Sequence, residues 1–170
     1  FGAVVSAPLL EIDGLMRTFV ARRSIFGSPT ATVKAVDCID LTLETGQTLA
    51  LVGESGCGKS TVGRLILRLI EPTAGQIRFA GRDILNLSER QLRAFRREVQ
   101  IVFQDPYASL NPRMTVEQLL AEPLALHDIV PASRRHERVI ELLKLVGLDG
   151  RFAQRYPHEF SAGQRQRIAI

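Results

Sequence analysis

The chain has 170 residues, 45% of them hydrophobic and 24% charged, which is the size and make-up of a soluble globular protein able to bury a core. No apolar run approaches the roughly eighteen residues of a transmembrane helix, and the first eight residues lack the basic and apolar regions of a signal peptide. The net charge of +4 raises nucleic acid as a partner, but the arginines near positions 22, 93–97, 134–138 and 165–167 are dispersed among acids. With only two Tyr and no Trp for base stacking, these charges read as solvated surface, and no nucleic-acid partner is expected. Cys38 and Cys57 are too few for a disulfide framework and point to a reducing, cytoplasmic compartment. A sequon at Asn86 would never meet the glycosylation machinery there. The chain begins without Met, which suggests a processed or cut sequence.

In chain order, residues 9–19 alternate loosely as a first strand, and 21–32, basic and containing Gly, Pro and Ser, read as a surface loop. Residues 36–43 place Ile39, Leu41 and Leu43 on one face of a half-buried strand. Residues 44–47 then turn the chain, so an antiparallel N-terminal sheet is expected. The run 48–52 is short and apolar, as a strand buried on both faces should be. Beyond residue 61, Val62, Leu65, Ile66, Leu69 and Ile70 form one stripe of a helix that Pro72 ends. A turn at 72–75 leads to a short strand at 76–80. Ser88 with Gln91 forms a capping box opening a helix with Leu92 and Phe95 on one side. Residues 99–103 read as another strand.

After Gln104 the character changes to helices. One starts near Thr115 and buries Val116, Leu119 and Leu120. Another spans 133–146 with Val139, Leu142, Leu143 and Val146 on one face and Gly147 as its stop. Strands mixed with helices, then helices alone, predict an α/β fold carrying a helical insertion, divided into residues 1–104 and 105–165.

Between the apolar run and the first helix stand Gly53, Glu54, Ser55, Gly56, Cys57, Gly58, Lys59, Ser60 and Thr61, the pattern G-x-x-x-x-G-K-[ST] of a phosphate-binding P-loop. Glycines let successive N–H groups turn inward, and the positive end of the following helix adds to them. Lys59 would reach the β- and γ-phosphates, and the Ser60 hydroxyl would help hold Mg²⁺. ATP is expected to protect the Cys57 thiol against alkylation. The plainer alternative is a glycine turn carrying a surface lysine.

A second constellation is Phe160, Ser161, Ala162, Gly163, Gln164, Arg165, Gln166, Arg167. By itself it is a helix start, with Ser161 as N-cap and Gln164 three residues on. The same geometry also makes a second anion site.

Together, the P-loop, Gln104 after an apolar run, and the S-x-G-Q-R-Q-R segment resemble the ATP-binding subunit of an ABC transporter. Residues 104–113 and 156–160, with the P-loop itself, are similar to the oligopeptide/dipeptide importer branch. The resemblance covers essentially the whole chain. It implies a P-loop NTPase core with an antiparallel β subdomain and a helical subdomain, using ATP and Mg²⁺. Gln104 would be the Q-loop glutamine, touching Mg²⁺ or the attacking water. Ser161, Ala162, Gly163 and Gln164 would be the signature, serving a nucleotide held by a second ATP-binding subunit. Two transmembrane permease subunits would complete the assembly, at the cytoplasmic face of the membrane. Phe19 or Phe26 would stack on adenine.

Two departures stand out. Ala162 occupies a position that is usually glycine, and a methyl there would cost about 1–2 kcal/mol if the backbone needed φ > 0 or close approach to phosphate. The Mg²⁺-holding Asp, the catalytic Glu and the later His of the family have no counterpart up to Ile170, so these residues are expected to bind nucleotide at best weakly and not to turn it over. An ABC-type ATPase unconnected with transport, and a non-catalytic nucleotide-binding module, remain alternatives. The transported solute is open among peptide, nickel and glutathione.

Overall fold

The computed structural model describes residues 7–23, 29–105 and 109–170. It divides into two compact units, Phe1–Gln100 and Ile101–Ile170.

The first unit is built on an antiparallel sheet in the order β2-β1-β3-β4. Its strands are β1 (Leu10–Arg23), β2 (Pro29–Leu43), β3 (Ala74–Phe79) and β4 (Arg82–Asp83). Leu10 and Ile12 stand opposite Leu43 and Leu41 on one side, and Phe79 and Ile77 on the other. Strict alternation would send Leu15 to the opposite face. A bulge at Gly14 shifts the register so that Leu15 returns to the core, fully buried. The bulge is tightly held: Gly14 N–H donates to Asp40 Oδ1 at 2.6 Å. Gly75 packs against it at φ +98, where a side-chain carbon would lie 2.5 Å from the Gly14 carbonyl oxygen. Only glycine fits there.

Two helices pack on this sheet, α1 (Lys59–Ile66) and α2 (Glu89–Glu98). Ser88 and Gln91 form the reciprocal capping box that opens α2, and Leu92 and Phe95 are its buried residues. Phe95 meets Phe79 edge to face, centroids 5.4 Å apart. Val62 and Leu65 of α1 join the same core with Ile77 and Ile84.

Three expectations are corrected in this part of the chain. The region read as a loop at 21–32 is largely strand, because pairing continues from Val20↔Thr32 to Arg23↔Pro29; backbone hydrogen bonding is indifferent to polar composition. Residues 24–28 lie outside the described set. Second, α1 stops at Ile66 well before Pro72. Arg68 takes a left-handed conformation at φ +49, with Arg68 N–H bonded to Leu65 O and Leu69 N–H to Arg64 O, a Schellman stop without glycine. Its guanidinium holds that position by donating to Leu87 O at 2.8 Å and to Glu71 at 2.9 Å. Third, 48–52 and 99–103 are not strands. Leu49, Leu51 and Val52 are 49%, 45% and 94% exposed, and Val102 and Phe103 55% and 46%. An extended run becomes a strand only when a neighbour takes its N–H and C=O groups, and neither run has one among the described residues.

The second unit contains α3 (Val116–Leu126), α4 (Arg135–Leu145) and α5 (Ala162–Ala169), with 3₁₀ turns at Ala132–Arg134, Gly150–Gln154 and Pro157–Glu159. Thr115 and Gln118 cap α3 reciprocally. Its core gathers Leu110, Val116, Leu124, Val139, Leu143, Leu148, Phe160 and Ile168; Leu119 and Leu120 pack at its margin. Glu117 gathers polar partners beside it, with His136 Nδ1 at 2.7 Å and the Gln154 amide as a second donor. Gly147 follows α4 at φ +72, as its stop requires.

Truncating Phe95 removes a ring from a filled core, so Phe95→Ala should lower stability by about 3–5 kcal/mol in urea unfolding. A loss under about 1 kcal/mol would contradict the packing described. Asp149, exposed at the start of the second 3₁₀ turn, is held at about 2 against an ordinary 3.8, chiefly by hydrogen bonds from the Arg151 side chain and then its N–H. Because the folded value is depressed, its stabilising contribution is present above the ordinary value and lost as pH falls through about 2. In an NMR titration Arg151→Ala should return Asp149 toward 3.8; an unchanged midpoint would refute the cause.

Candidate functional site: a phosphate loop and a capped helix start

Residues 53–58 form a connected turn leading into α1, and Cys57 N–H closes it on Glu54 O at 3.3 Å. Gly58 is the residue before the helix, at φ +99, and a side-chain carbon there would sit 2.1 Å from the Ala35 carbonyl oxygen. The loop is pressed onto β2 at a point where only hydrogen fits. From there Val62 N–H bonds Gly58 O at 3.0 Å, and buried Val62 and Leu65 anchor the helix. This helix begins with no side-chain cap and no acid in its first turn. The first N–H groups of a helix have no partner within it, so the end of α1 is suited to an anion.

Lys59 is the first residue of α1, and its chain folds back over the loop. Nζ donates to Gly53 O and Glu54 O, each at 2.7 Å, and lies 3.5 Å from Cys57 Sγ. The ammonium thus sits among the loop's own carbonyls. Glu54, Ser55, Gly56, Cys57 and Ser60 are exposed, and Gly58, Lys59 and Thr61 half-buried. Among the described residues no group of three or more His, Cys, Asp or Glu could hold a metal ion. The exposed Ser60 hydroxyl stands next to Lys59 at the same helix start. An uncapped helix start, a lysine and a neighbouring hydroxyl fit a magnesium–polyphosphate.

The second unit presents a different helix start. Ser161 Oγ accepts from Gln164 N–H at 3.3 Å, and Gln164 Oε1 accepts from Ser161 N–H at 2.9 Å. Ser161, Ala162 and Gly163 are exposed. Ala162 is the first residue of α5 and is not among the positive-φ residues. The steric penalty expected for a methyl at φ > 0 therefore does not arise. At Gly163 an added side-chain carbon would meet nothing within 4 Å, so packing does not demand the glycine, though it costs the helix about 1 kcal/mol.

Gln104 is exposed and belongs to the second unit, whereas the P-loop belongs to the first. Next to it Ser109 Oγ donates to Asp105 O at 2.7 Å. Phe19 lies on β1 opposite Val33, 38% exposed, with the Arg17 guanidinium 4.5 Å from its ring centroid. Phe26 lies outside the described residues.

Sequence reasoning, which reads most of the arginines as solvated surface, missed what two of those next to the signature hold, the buried Arg165 and the exposed Arg167. Arg165 is 6% exposed and donates from Nε to Pro157 O at 2.6 Å. Arg167 donates to Val146 O at 3.1 Å, meeting the last carbonyls of α4. One signal was available for Arg165: it shares a helix face with Ile168, three residues on.

A phosphate loop on an α/β scaffold and a second exposed helix start define a P-loop nucleotide-binding cassette. The ABC transporter family model matches residues 36–170, and the chain belongs to that family of ATPases. It is 52% identical over 163 residues to the oligopeptide transport ATP-binding protein AppF of Bacillus subtilis, covering 95% of this chain and 50% of that one. It is 46% identical over 165 residues to the dipeptide transport ATP-binding protein DppF of Haemophilus influenzae, covering 97% and 50%. With the glutathione import ATP-binding protein GsiA of Salmonella paratyphi A it shares 49% identity over 167 residues, covering 98% and 27%. The chain thus spans half the length, or less, of these curated relatives. Among solved structures, the dimeric MJ0796 bacterial ABC transporter cassette matches with a TM-score of 0.75 at 27% identity, over 95% of this chain and 67% of that one. The same cassette in a post-hydrolysis state, bound to ADP and Pi, matches equally well.

Iodoacetamide should label Cys57 and Cys38, both exposed. ATP with Mg²⁺ at ten times its Kd should slow labelling of Cys57 roughly tenfold and leave Cys38 unchanged. Equal rates at Cys57 with and without nucleotide would show that the loop is not the site.

Proposed function

We propose that this chain is the ATP-binding part of an importer for peptides or related small solutes, working at the cytoplasmic face of a membrane with a second ATP-binding subunit and two permease subunits. The observation that carries the reading is the pairing of an uncapped helix start under Lys59 with an exposed, pre-shaped helix start at Ser161. Support for the solute class comes from the oligopeptide, dipeptide and glutathione transport relatives. No helix among the described residues is long and apolar enough to cross a membrane.

When bound, Mg²⁺ neutralises and orients the phosphates and ATP supplies a transferable γ-phosphoryl group. The work of this chain is binding and orientation. Residues Gly53, Glu54, Ser55, Gly56, Cys57 and Gly58 would wrap the phosphates, with the Cys57 N–H closing the loop on Glu54 O; Lys59 would neutralise their charge, Ser60 would hold the cation and Thr61 continues the helix start. The resemblance would give Gln104 the role of contacting Mg²⁺ or the attacking water. Ser161, Ala162, Gly163 and Gln164 face a nucleotide held by the second subunit, and the open side of Gly163 leaves room for close approach. Phe19 is one candidate to stack on adenine. The division of labour follows residues 1–104 for the cradle and 105–165 for the signature.

The 170 residues alone should bind ATP at best weakly and not hydrolyse it, because they include no counterpart of the Mg²⁺-holding Asp, catalytic Glu and later His that the resemblance implies. Lys59→Ala should weaken ATP binding at least about tenfold, or 1.4 kcal/mol, by calorimetry. Steady hydrolysis by these residues alone, abolished by Lys59→Ala, would overturn the division proposed.

A further inference from the structure

We propose that Arg165 is a positioning residue for the signature, fixing where Ser161 presents its hydroxyl. This rests on reading Ser161 as the contact to a nucleotide held by the second subunit.

Three residues separate Pro157 from Ser161, and this stretch is held at several points. Pro157 is buried, Pro157–Glu159 is a 3₁₀ turn, and Glu159 Oε2 accepts from Tyr156 N–H at 2.6 Å. Phe160 is 4% exposed and meets Phe152 edge to face at 5.7 Å. Ser161 then leaves in an extended conformation, φ −64 and ψ 160, before α5 begins. The capping box shapes Ser161 relative to α5, but it does not fix α5 relative to the turn before it.

Arg165 supplies that tie. Its N–H bonds Ser161 O at 3.0 Å, one turn into the helix. Its side chain runs back beneath the signature and donates from Nε to Pro157 O at 2.6 Å and from Nη2 to His158 O at 3.4 Å. One guanidinium therefore spans from the helix bearing the signature to two successive carbonyls of the preceding turn. A planar fork can do this; a lysine offers one point charge with freer geometry. At 6% exposure the group cannot reach a nucleotide in solvent. It acts through Ser161.

The test uses the full-length chain assembled with its partner subunits, comparing Arg165→Met, Arg165→Lys, Ser161→Ala and the double variant Ser161→Ala/Arg165→Met. Affinity for a fluorescent ATP analogue reports on the P-loop, and kcat for hydrolysis reports on the signature. Arg165→Met should leave affinity within about twofold and lower kcat at least about tenfold, with Arg165→Lys between it and wild type. The double variant should be no slower than Ser161→Ala alone, because Arg165 has nothing to position once the hydroxyl is gone. Multiplying losses in the double variant, or affinity and kcat falling together, would overturn the proposal, since that is the pattern of a residue that only stabilises the fold. If Arg165→Met does not fold, Arg165→Lys decides, and a wild-type kcat in it counts against the proposal. A wild-type kcat in Ser161→Ala refutes the reading of Ser161 itself, and this inference falls with it.

Discussion

The first unit depends on a contact too close for a side chain. Where Gly58 meets the Ala35 carbonyl, a methyl group would lie 2.1 Å from oxygen, so the phosphate loop and the second strand share one van der Waals boundary. That contact sets where α1 starts, because Gly58 is the residue immediately before it. Val36, beside Ala35, is 3% exposed in the same core as Val62 and Leu65. The small antiparallel sheet is thus the anvil on which the loop is shaped. Bulges at Gly14 in β1 and near Cys38 in β2 keep both strands facing that core despite their broken alternation.

The second unit reaches an exposed helix start by another route. In α1 the N-terminal donors are left without a side-chain cap, whereas in α5 Ser161 and Gln164 cap each other. A donor-rich opening suits an anion that arrives with high charge density. A pre-capped opening presents a hydroxyl of fixed orientation and a glycine with room beside it, which suits contact with something already held elsewhere. Two arginines bonded to backbone carbonyls tie α5 to its surroundings, the buried Arg165 to the preceding turn and the exposed Arg167 to the end of α4.

Features that depend on neighbours in sequence were legible before the structure. The capping box at Ser88, the start of α3 at Thr115, the stripe of α4 and its glycine stop all follow from spacing alone. Features that depend on distant partners were not. An apolar run such as 48–52 reports a preference for burial and extension, but not the neighbour that would make it a strand. The end of α1 is set by Arg68 reaching Leu87 O across nineteen residues, which no helix periodicity contains. Arg165 and Arg167 looked like solvated charge because composition cannot show that a guanidinium is bonded to carbonyls. Within the candidate site, the motif residues were readable as types at a spacing. The folding of Lys59 onto its own loop was not.

That folding has a consequence for what the loop will accept. Two charge-assisted hydrogen bonds already hold the ammonium, and such bonds contribute about 1.5–3 kcal/mol each. An arriving anion must therefore exchange for them; it does not meet an idle cation. A weakly charged ion cannot compensate the exchange, while a polyphosphate that also engages the helix start can. The loop's internal bonds act as a threshold, keeping its shape ready and screening out ligands too weak to displace its own backbone.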